Sequence, residues 1–332
     1  MLGEWLLIEC IRKDPNVMAI GRKSVRLQPL QKVLRNETLK ATRRLTNQVR
    51  RSGHRWEETS TARGEHLIAE PITNTTGHIY GIRIWVGRTG IEVPAPPRSA
   101  ACDLNLETMT AFYTDETHDM YQVPDNRRRA EISRMTAFQY LNFAEDEGAA
   151  FALAMQADDT TLYQNTWPII RHDGVARDLH FCARGARVDG RRFLQGLVID
   201  ISPGRDEPAS PPPQSFSQAL MAAELSVPGV YHALVDLKTL IAHRWLGAEM
   251  PGIAWELTGD PDRDPALHPD DLPAARKAAR ATRDGPANVT LRLRDIHGGW
   301  ARVRIEAKRV LLTQDSDAAA ILVSMVHTTA SE

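Results

Sequence analysis

The chain has 332 residues, 42% of them hydrophobic, and its 41 basic and 42 acidic side chains leave a net charge of -1. This length predicts two or three domains with substantial hydrophobic cores. The balanced charge excludes a global electrostatic attraction to nucleic acid or to an acidic membrane surface.

Three cysteines, Cys10, Cys102 and Cys182, are widely spaced along the chain. An odd number at long spacings indicates neither a disulfide framework nor a zinc site, and it fits a reducing compartment. The segment 1–11 is too short to span a membrane and lacks the basic leader of a signal peptide. We therefore expect a cytoplasmic protein without a membrane partner.

One pattern occurs three times: a helix-like stretch precedes alternating strands that are joined by polar turns containing glycine. The strands are predicted at 66–72 and 78–86, then at 162–171, 178–184 and 191–201, and finally at 288–294, 301–310 and 318–327. In the last copy Val303 and Ile305 alternate with Arg302 and Arg304, which is typical of a strand with one buried face. Such a recurrence indicates repeated domains.

Each copy also contains a predicted helix. The first is predicted between Asn36, as its N-cap, and Gly53, as its end. The second is predicted at 147–156 and the third at 272–282, where an Asp of the preceding segment 268–271 is placed to cap the first turn.

Two proline-rich segments, 93–98 and 203–214, separate the copies. Consecutive prolines favour extended spacers, so we interpret these segments as linkers; surface loops of one larger domain are the alternative. The predicted domains are 1–92, 98–203 and 216–329.

Several motifs resemble those of PAS domains. The segment 267–272, Leu-His-Pro-Asp-Asp-Leu, followed by 297–300, His-Gly-Gly-Trp, resembles the second half of a PAS domain. The middle copy resembles a whole one, with 102–108 as its first strand, 109–121 as its second strand and helix, and 200–202 as its ending. The first copy resembles a GAF domain equally well, and the layout resembles actinobacterial proteins of unknown function.

This resemblance implies an α+β fold of three tandem PAS-like domains, each an antiparallel sheet with helices on one face. A pocket between sheet and helices then holds a small molecule or is filled as a plain core. Five side chains are candidates to line such a pocket: Trp167, Phe181, Cys182, Trp245 and Trp255. A plain core is the more common fate of such side chains.

No cofactor is identified by the sequence. Haem ligation, known in some PAS sensors, would need one of His118, His180, His243 and His268, but none is clearly a helical ligand that faces a pocket. The segment 190–196 resembles the flavin-binding motif of LOV photoreceptors. Arg191 and Arg192 replace the Asn-Cys pair of that motif, however, and the segment enters a predicted strand, so flavin photochemistry is not expected.

Motifs for phosphate binding, for a serine nucleophile and for a zinc protease are absent from the sequence. The basic clusters 43–44, 50–51 and 127–129 are better explained as solvated faces than as a nucleic-acid site. We expect a non-enzymatic sensory or scaffolding protein that binds a small ligand or a signalling protein and forms a homodimer. An enzyme with an unrecognised pocket chemistry and a nucleic-acid-binding regulator are the alternatives.

Overall fold

The computed structural model describes residues 3–62, 64–133, 137, 156–203, 227–311 and 319–327. In these residues most of the regular structure is strand, arranged in three sheets. The strands of the first sheet are β1 (Glu4–Glu9), β2 (Asn16–Ile20), β3 (Lys23–Pro29), β4 (Trp56–Ser60), β5 (Glu65–Thr73) and β6 (Ile79–Arg88). Those of the second are β7 (Ser99–Asn105), β8 (Thr110–Tyr113), β9 (Glu131–Ser133), β10 (Leu162–Ile170), β11 (Ala176–Val188) and β12 (Arg191–Asp200).

The third sheet consists of β13 (Tyr231–Asp236), β14 (Ala242–Leu246), β15 (Ala287–Arg294), β16 (Trp300–Leu311) and β17 (Ala319–His327). The α-helices of the described residues are α1 (Leu30–Val33), α2 (Asn36–Ser52), α3 (Asp115–Tyr121) and α4 (Leu272–Ala281). The structure thus confirms a sheet-rich α+β protein and the strands that were predicted in each copy.

The first two sheets share one strand order, and the third sheet repeats it with one strand fewer. The orders are β3-β2-β1-β6-β5-β4, β10-β11-β12-β7-β8-β9 and β14-β13-β17-β16-β15. In each sheet the first strand is central and lies between the second and the last, and the last three strands follow one another. Neighbouring strands are antiparallel within each of the triplets β4–β5–β6, β10–β11–β12 and β15–β16–β17.

Helix α2 ends at the predicted residue but does not begin with the predicted N-cap. Gly53 terminates it as predicted, with a φ of 72° and its N–H donated to the carbonyl of Val49. The prediction that Asn36 is the N-cap is wrong. Arg35 occupies that position without a side-chain hydrogen bond, and Asn36 adopts a left-handed φ of 47°, a region that Asn tolerates better than most residues.

The described residues divide into two compact units. The first comprises Met1–Leu104, Phe112–Ala130 and Asp158–Ala209, and the second comprises Asn105–Ala111, Glu131–Ala157 and Ser210–Glu332. The first sheet lies wholly in the first unit, together with most of the second sheet, and the third sheet lies in the second unit.

Both faces of the central strands β1 and β6 of the first sheet are buried. Because side chains alternate along a strand, Leu6 and Ile8 of β1 join the core beneath α2, where Leu45 is also buried. Leu7 lies on the opposite face and joins a core with Leu197 of the second sheet. The two sheets of this unit therefore pack against each other through one apolar layer.

The first proline-rich segment packs on the first sheet. The indole N–H of Trp5 donates to the carbonyl of Pro94 at 2.8 Å, and Val93 contacts the cluster of Trp5 and Trp85. The second proline-rich segment lies outside the described residues apart from Pro203, as does the predicted helix 147–156 apart from Gln156.

Helix α4 covers one face of the third sheet, where Ala275 and Ala279 join its core. Asp271 is the N-cap residue, as predicted, but its side chain does not make the predicted hydrogen bond to the first turn. The carboxylate of Asp271 instead accepts from the backbone N–H of Arg292 at 2.7 Å and from its guanidinium at 2.7 and 3.0 Å, because β15 passes beside the helix start.

Candidate ligand cavity in the third sheet

One face of the third sheet is apolar across its five strands. On β16 Val303, Ile305 and Ala307 are buried, while Arg302 and Arg304 are exposed. This confirms the alternation that the sequence predicts. The matching residues of the other strands, such as Ala233, Val323 and Leu291, belong to the same core.

Between this face and the elements around α4 lies a cavity of about 320 Å³. Its size is at the lower end of the range of small-molecule sites, roughly 300–1,000 Å³. The aliphatic and aromatic wall comes from the strands, from α4 and from the segment between β14 and α4. The principal wall residues are Val235, Leu240, Ile241, Trp245, Ile253, Trp255, Leu257, Leu267, Leu272, Ala275, Ala279, Val289, Leu291, Leu293, Ile305, Ile321, Val323 and Met325.

No charged side chain lines the cavity among the residues that the structure describes. Thr108, Thr110 and Ser133, which belong to the same compact unit, and Thr239 contribute hydroxyl groups. The hydroxyl of Thr108 donates to that of Thr110 at 3.0 Å, and the hydroxyl of Thr239 donates to the carboxylate of Asp236 at 3.0 Å. These polar groups are thus engaged with the protein.

Asp236 shapes the turn that supplies Leu240 and Ile241 to the wall. Its carboxylate accepts from the backbone N–H groups of Lys238 at 2.7 Å and Thr239 at 2.6 Å. Burial acts to raise the pKa of Asp236, but these hydrogen bonds and His243, whose Nε2 lies 3.7 Å away, hold that pKa well below its ordinary value. The turn is therefore built around an ionised carboxylate.

Two of the five candidate residues, Trp245 and Trp255, line this cavity. Trp245 lies on β14 and is only 9% exposed. Its Nε1 is buried and meets no acceptor in the described structure.

The other three candidates lie in the second sheet and do not form one group. Trp167 and Phe181 are in contact, with ring centroids 3.9 Å apart, and Tyr163 adjoins Phe181 at 5.7 Å. Cys182 points the opposite way, because it follows Phe181 in β11, and it is fully buried in the core shared with Leu197. Burial, with the nearby charge of Glu9, raises the pKa of the Cys182 thiol to about 12, so this thiol is a poor nucleophile.

The four histidines considered as haem ligands all lie outside the cavity wall. His118 donates from Nε2 to the carbonyl of Arg129 at 2.9 Å, and His180 lies between Gln164 and Thr166 at 2.9 and 2.8 Å. Burial lowers the pKa of both imidazoles. The ring of His268 meets that of Trp300 edge-on at 4.7 Å.

The basic clusters are engaged with their own chain. Arg44 pairs with Glu58 at 2.5 Å, and Arg50 donates to the carbonyl of Lys13 at 2.7 Å. Arg128 pairs with Asp119 at 2.7 Å.

Within the described ranges no group of three His, Cys, Asp or Glu side chains is arranged to hold a metal ion. No helix in the described part of the chain has the length and apolar character needed to cross a bilayer.

The sequence interpretation missed the contribution of α4 to the wall. Ala275, Ala278 and Ala279 all line the cavity. Their spacing of three and four residues places them on one face of a helix, which was the available signal, and their small side chains leave the space open.

Two family models match the chain. The model described as Rv3651-like, N-terminal matches residues 4–95, and the model described as Rv3651-like, C-terminal domain matches residues 215–332. A crystal structure of an uncharacterized protein from Mycobacterium tuberculosis is similar, with 23% sequence identity and a TM-score of 0.82 over 99% of this chain and 97% of that chain. That structure has the same fold.

Two sensory proteins are distantly similar in structure. One is a sensory box histidine kinase/response regulator from Burkholderia thailandensis, at 14% identity, with a TM-score of 0.26 over 31% of this chain and 77% of that chain. The other is an RNA-binding light-oxygen-voltage receptor, at 9% identity, with a TM-score of 0.26 over 69% and 95%. Scores this low carry no argument about function. Among curated proteins none matches the chain significantly.

Proposed function

The chain belongs to the Rv3651-like family, and we propose that it is a sensory or scaffolding protein whose third sheet binds a small apolar ligand. In this proposal the protein is cytoplasmic and non-enzymatic, and it signals by association with a partner protein or with a second copy of itself.

The observation that carries the proposal is the apolar cavity over the third sheet. Protein cores are close-packed, and an apolar void of this size forfeits the contacts that side chains would otherwise make. A bound hydrocarbon group restores those contacts and removes apolar surface from water, which favours binding by about 25 cal/mol for each Å² buried.

The chemistry of the wall favours binding over catalysis. General acid–base and nucleophilic catalysis place a titratable side chain within hydrogen-bond reach of the substrate. Here the described wall consists of aliphatic and aromatic side chains and engaged hydroxyl groups. An enzyme remains the second candidate only if a titratable group proves to enter the cavity.

The resemblance to PAS domains agrees with this proposal. Leu267 and Leu272, at the two ends of the segment that resembles the PAS helix start, both line the cavity. The motif that suggested a sensory domain therefore lies at the cavity wall.

The test is to fill the cavity from α4. Ala279→Leu and Ala279→Phe place increasing volume in the wall, whereas Ala274→Phe puts the same ring on the exposed side of the same helix. The probe is N-phenyl-1-naphthylamine, a neutral apolar dye that fluoresces when buried. Native mass spectrometry of the purified protein detects any ligand already bound.

We expect the wild type and Ala274→Phe to bind the dye equally, Ala279→Leu to bind it more weakly, and Ala279→Phe to lose binding while retaining cooperative unfolding. Equal dye binding by all four proteins, or none by the wild type with a clean apo mass, would overturn the proposal in favour of a scaffold that uses no ligand.

A further inference from the structure

We propose that Met109 and Leu240 determine the size of the ligand that the cavity admits, and that two turns of the same construction hold them in its wall. This inference rests on the proposed function and identifies the residues that control which apolar ligand binds.

The two turns repeat one pattern of residues and hydrogen bonds. The turn 105–109, at the end of β7, has the sequence Asn-Leu-Glu-Thr-Met, and the turn 236–240, at the end of β13, has the sequence Asp-Leu-Lys-Thr-Leu. In each, Oδ1 of the first side chain accepts from the backbone N–H groups of the third and fourth residues. These distances are 2.9 and 3.1 Å in the first turn and 2.7 and 2.6 Å in the second. A side-chain acceptor of this kind mimics a backbone turn, so the first residue fixes each turn.

Both turns end on an apolar residue with a left-handed backbone. The φ angle is 55° at Met109 and 60° at Leu240, whereas the other described non-glycine residues with a positive φ are polar: Asn36, Gln122 and Asp189. Large apolar side chains rarely adopt this region, because they lack the local hydrogen bonds that make it tolerable for Asn and Asp. Residues held there by the surrounding structure cluster at ligand contacts.

The equivalent residues of the two turns line one cavity. Residues 108–110 and residues 239–241 all belong to its wall, and both turns lie in the second compact unit. Met109 is 3% exposed, and Leu240 packs against the core of the third sheet. Leu237, the second residue of its turn, lies outside the wall. The fifth position of each turn therefore supplies a large apolar side chain to the ligand site.

These two side chains are placed to select a ligand by its size. Binding specificity commonly resides on loops that a rigid scaffold positions, and here the sheet and α4 are that scaffold. Helix α4 contributes only small side chains, Ala275, Ala278 and Ala279, beyond Leu272 at its start. A change of one methylene in an apolar pocket alters discrimination by about 10- to 200-fold, so Met109 and Leu240 can decide which ligands fit.

The test removes each side chain while keeping its backbone conformation. Leu240→Gly and Met109→Gly suit a positive φ, since glycine adopts that region at no steric cost. Leu237→Ala is the matched control, because it shortens an apolar side chain of the same turn outside the wall. The probes are two neutral dyes that fluoresce when buried, N-phenyl-1-naphthylamine and the longer diphenylhexatriene. Fluorescence titration gives the ratio of their dissociation constants, which a uniform loss of folded protein leaves unchanged.

We expect each glycine variant to shift the ratio of affinities toward diphenylhexatriene by about tenfold, the lower end of the effect of one methylene. Leu237→Ala should keep the wild-type ratio within about twofold, because the space in the cavity is unchanged.

The turn itself is tested at Asp236, which acts through Leu240 as a positioning residue. Asn occupies the equivalent position 105 and accepts the same two hydrogen bonds, so Asp236→Asn should keep the wild-type ratio. Asp236→Ala removes the acceptor and should shift the ratio in the same direction as Leu240→Gly. Circular dichroism shows whether each variant is folded. If Asp236→Ala does not fold, Asp236→Asn and the two glycine variants decide the question.

An unchanged ratio in either glycine variant, or an equal shift in Leu237→Ala, would overturn the inference while leaving the proposed function intact. A shifted ratio in folded Asp236→Asn would do the same for the role of the turn. If neither dye binds the wild type, the proposed function fails as well.

Discussion

Glu9 is a carboxylate in the apolar layer between the first two sheets, and its side chain is fully buried. It is kept there by Arg184, whose Nε and Nη2 each donate to it at 3.0 Å, and it also accepts from the backbone N–H of Ile11. A buried charge needs such partners, since removing one leaves an uncompensated ion in a medium of low dielectric constant. This pair therefore sets how β1 and β11 face each other.

We expect Arg184→Met to lower the free energy of unfolding of the first unit by about 3–5 kcal/mol, as for other buried pairs that lose one partner. Arg187→Met is the control, because Arg187 lies three residues further along β11 and makes an exposed pair with Asp159 at 3.7 Å. That variant should change stability by about 1 kcal/mol or less. Urea unfolding measures both, and equal small effects would contradict the structural role of Glu9.

At the scale of the elements, the spacing of the first two sheets depends on a glycine. A Cβ at Gly81 of β6 would lie 2.7 and 2.9 Å from the two terminal carbons of Leu197 on β12. Carbon atoms do not approach this closely without displacement, so the small residue permits the close approach of the sheets.

Gly81→Ala should lower the free energy of unfolding by about 1–3 kcal/mol through overpacking. Combining it with Leu197→Val should be less destabilising than the sum of the single changes, with a coupling of about 0.5–3 kcal/mol. Denaturant unfolding of the four proteins completes this cycle. Additive effects would show that the two residues are not in contact.

A second link between elements is the bond from Asp271, before α4, to Arg292 on β15. The guanidinium and backbone N–H of Arg292 hold the pKa of Asp271 at about 2, below its ordinary 3.8. Because the folded-state pKa is lowered, the stabilisation is present above pH 4 and is lost as the pH falls through 2.

Asp271→Asn should therefore lower the unfolding midpoint in urea at pH 7, and its difference from wild type should shrink between pH 4 and pH 2. Asp270→Asn serves as the control, since that side chain is 76% exposed and lies 3.6 Å from Arg292. We expect little effect from it at any pH. A difference for Asp271→Asn that did not depend on pH would refute this account.

At the scale of the whole molecule, the three sheets share a strand order, apart from the strand that the third lacks, but differ in what covers them. The first sheet is covered by α2 on one face and by the second sheet on the other. The third sheet has a cavity beneath α4. The same topology therefore supports a packed core in one place and a candidate ligand site in another, because side-chain volume differs.

A ligand that binds only the cavity stabilises the folded state of the second unit by mass action, by about 2.7 kcal/mol at a hundredfold excess over Kd. We expect N-phenyl-1-naphthylamine to slow amide hydrogen exchange in β13–β17 and α4, and to leave exchange in β1–β6 unchanged. Peptide-level mass spectrometry measures both sets in one experiment. Slowed exchange in β1–β6 alone would place the site elsewhere.

The homodimer predicted from the sequence is a further expectation at this scale. Native mass spectrometry should give twice the 37.1 kDa of one chain. A monomer at micromolar concentration would contradict it.

The sequence by itself determined strands β5, β6, β10–β12 and β15–β17 and the buried face of β16. The alternation of Val303 and Ile305 with Arg302 and Arg304 is a local property, so it can be read without knowing what lies opposite. The end of α2 at Gly53 is local for the same reason.

Only the tertiary structure decided which distant residues meet. It gave Asp271 the partner Arg292, placed Cys182 in the layer with the first sheet, and opened a cavity where Ala275 and Ala279 face the third sheet. It also left the N–H of Trp245 without an acceptor. These features depend on contacts between residues far apart in the chain, and local periodicity carries no information about such contacts.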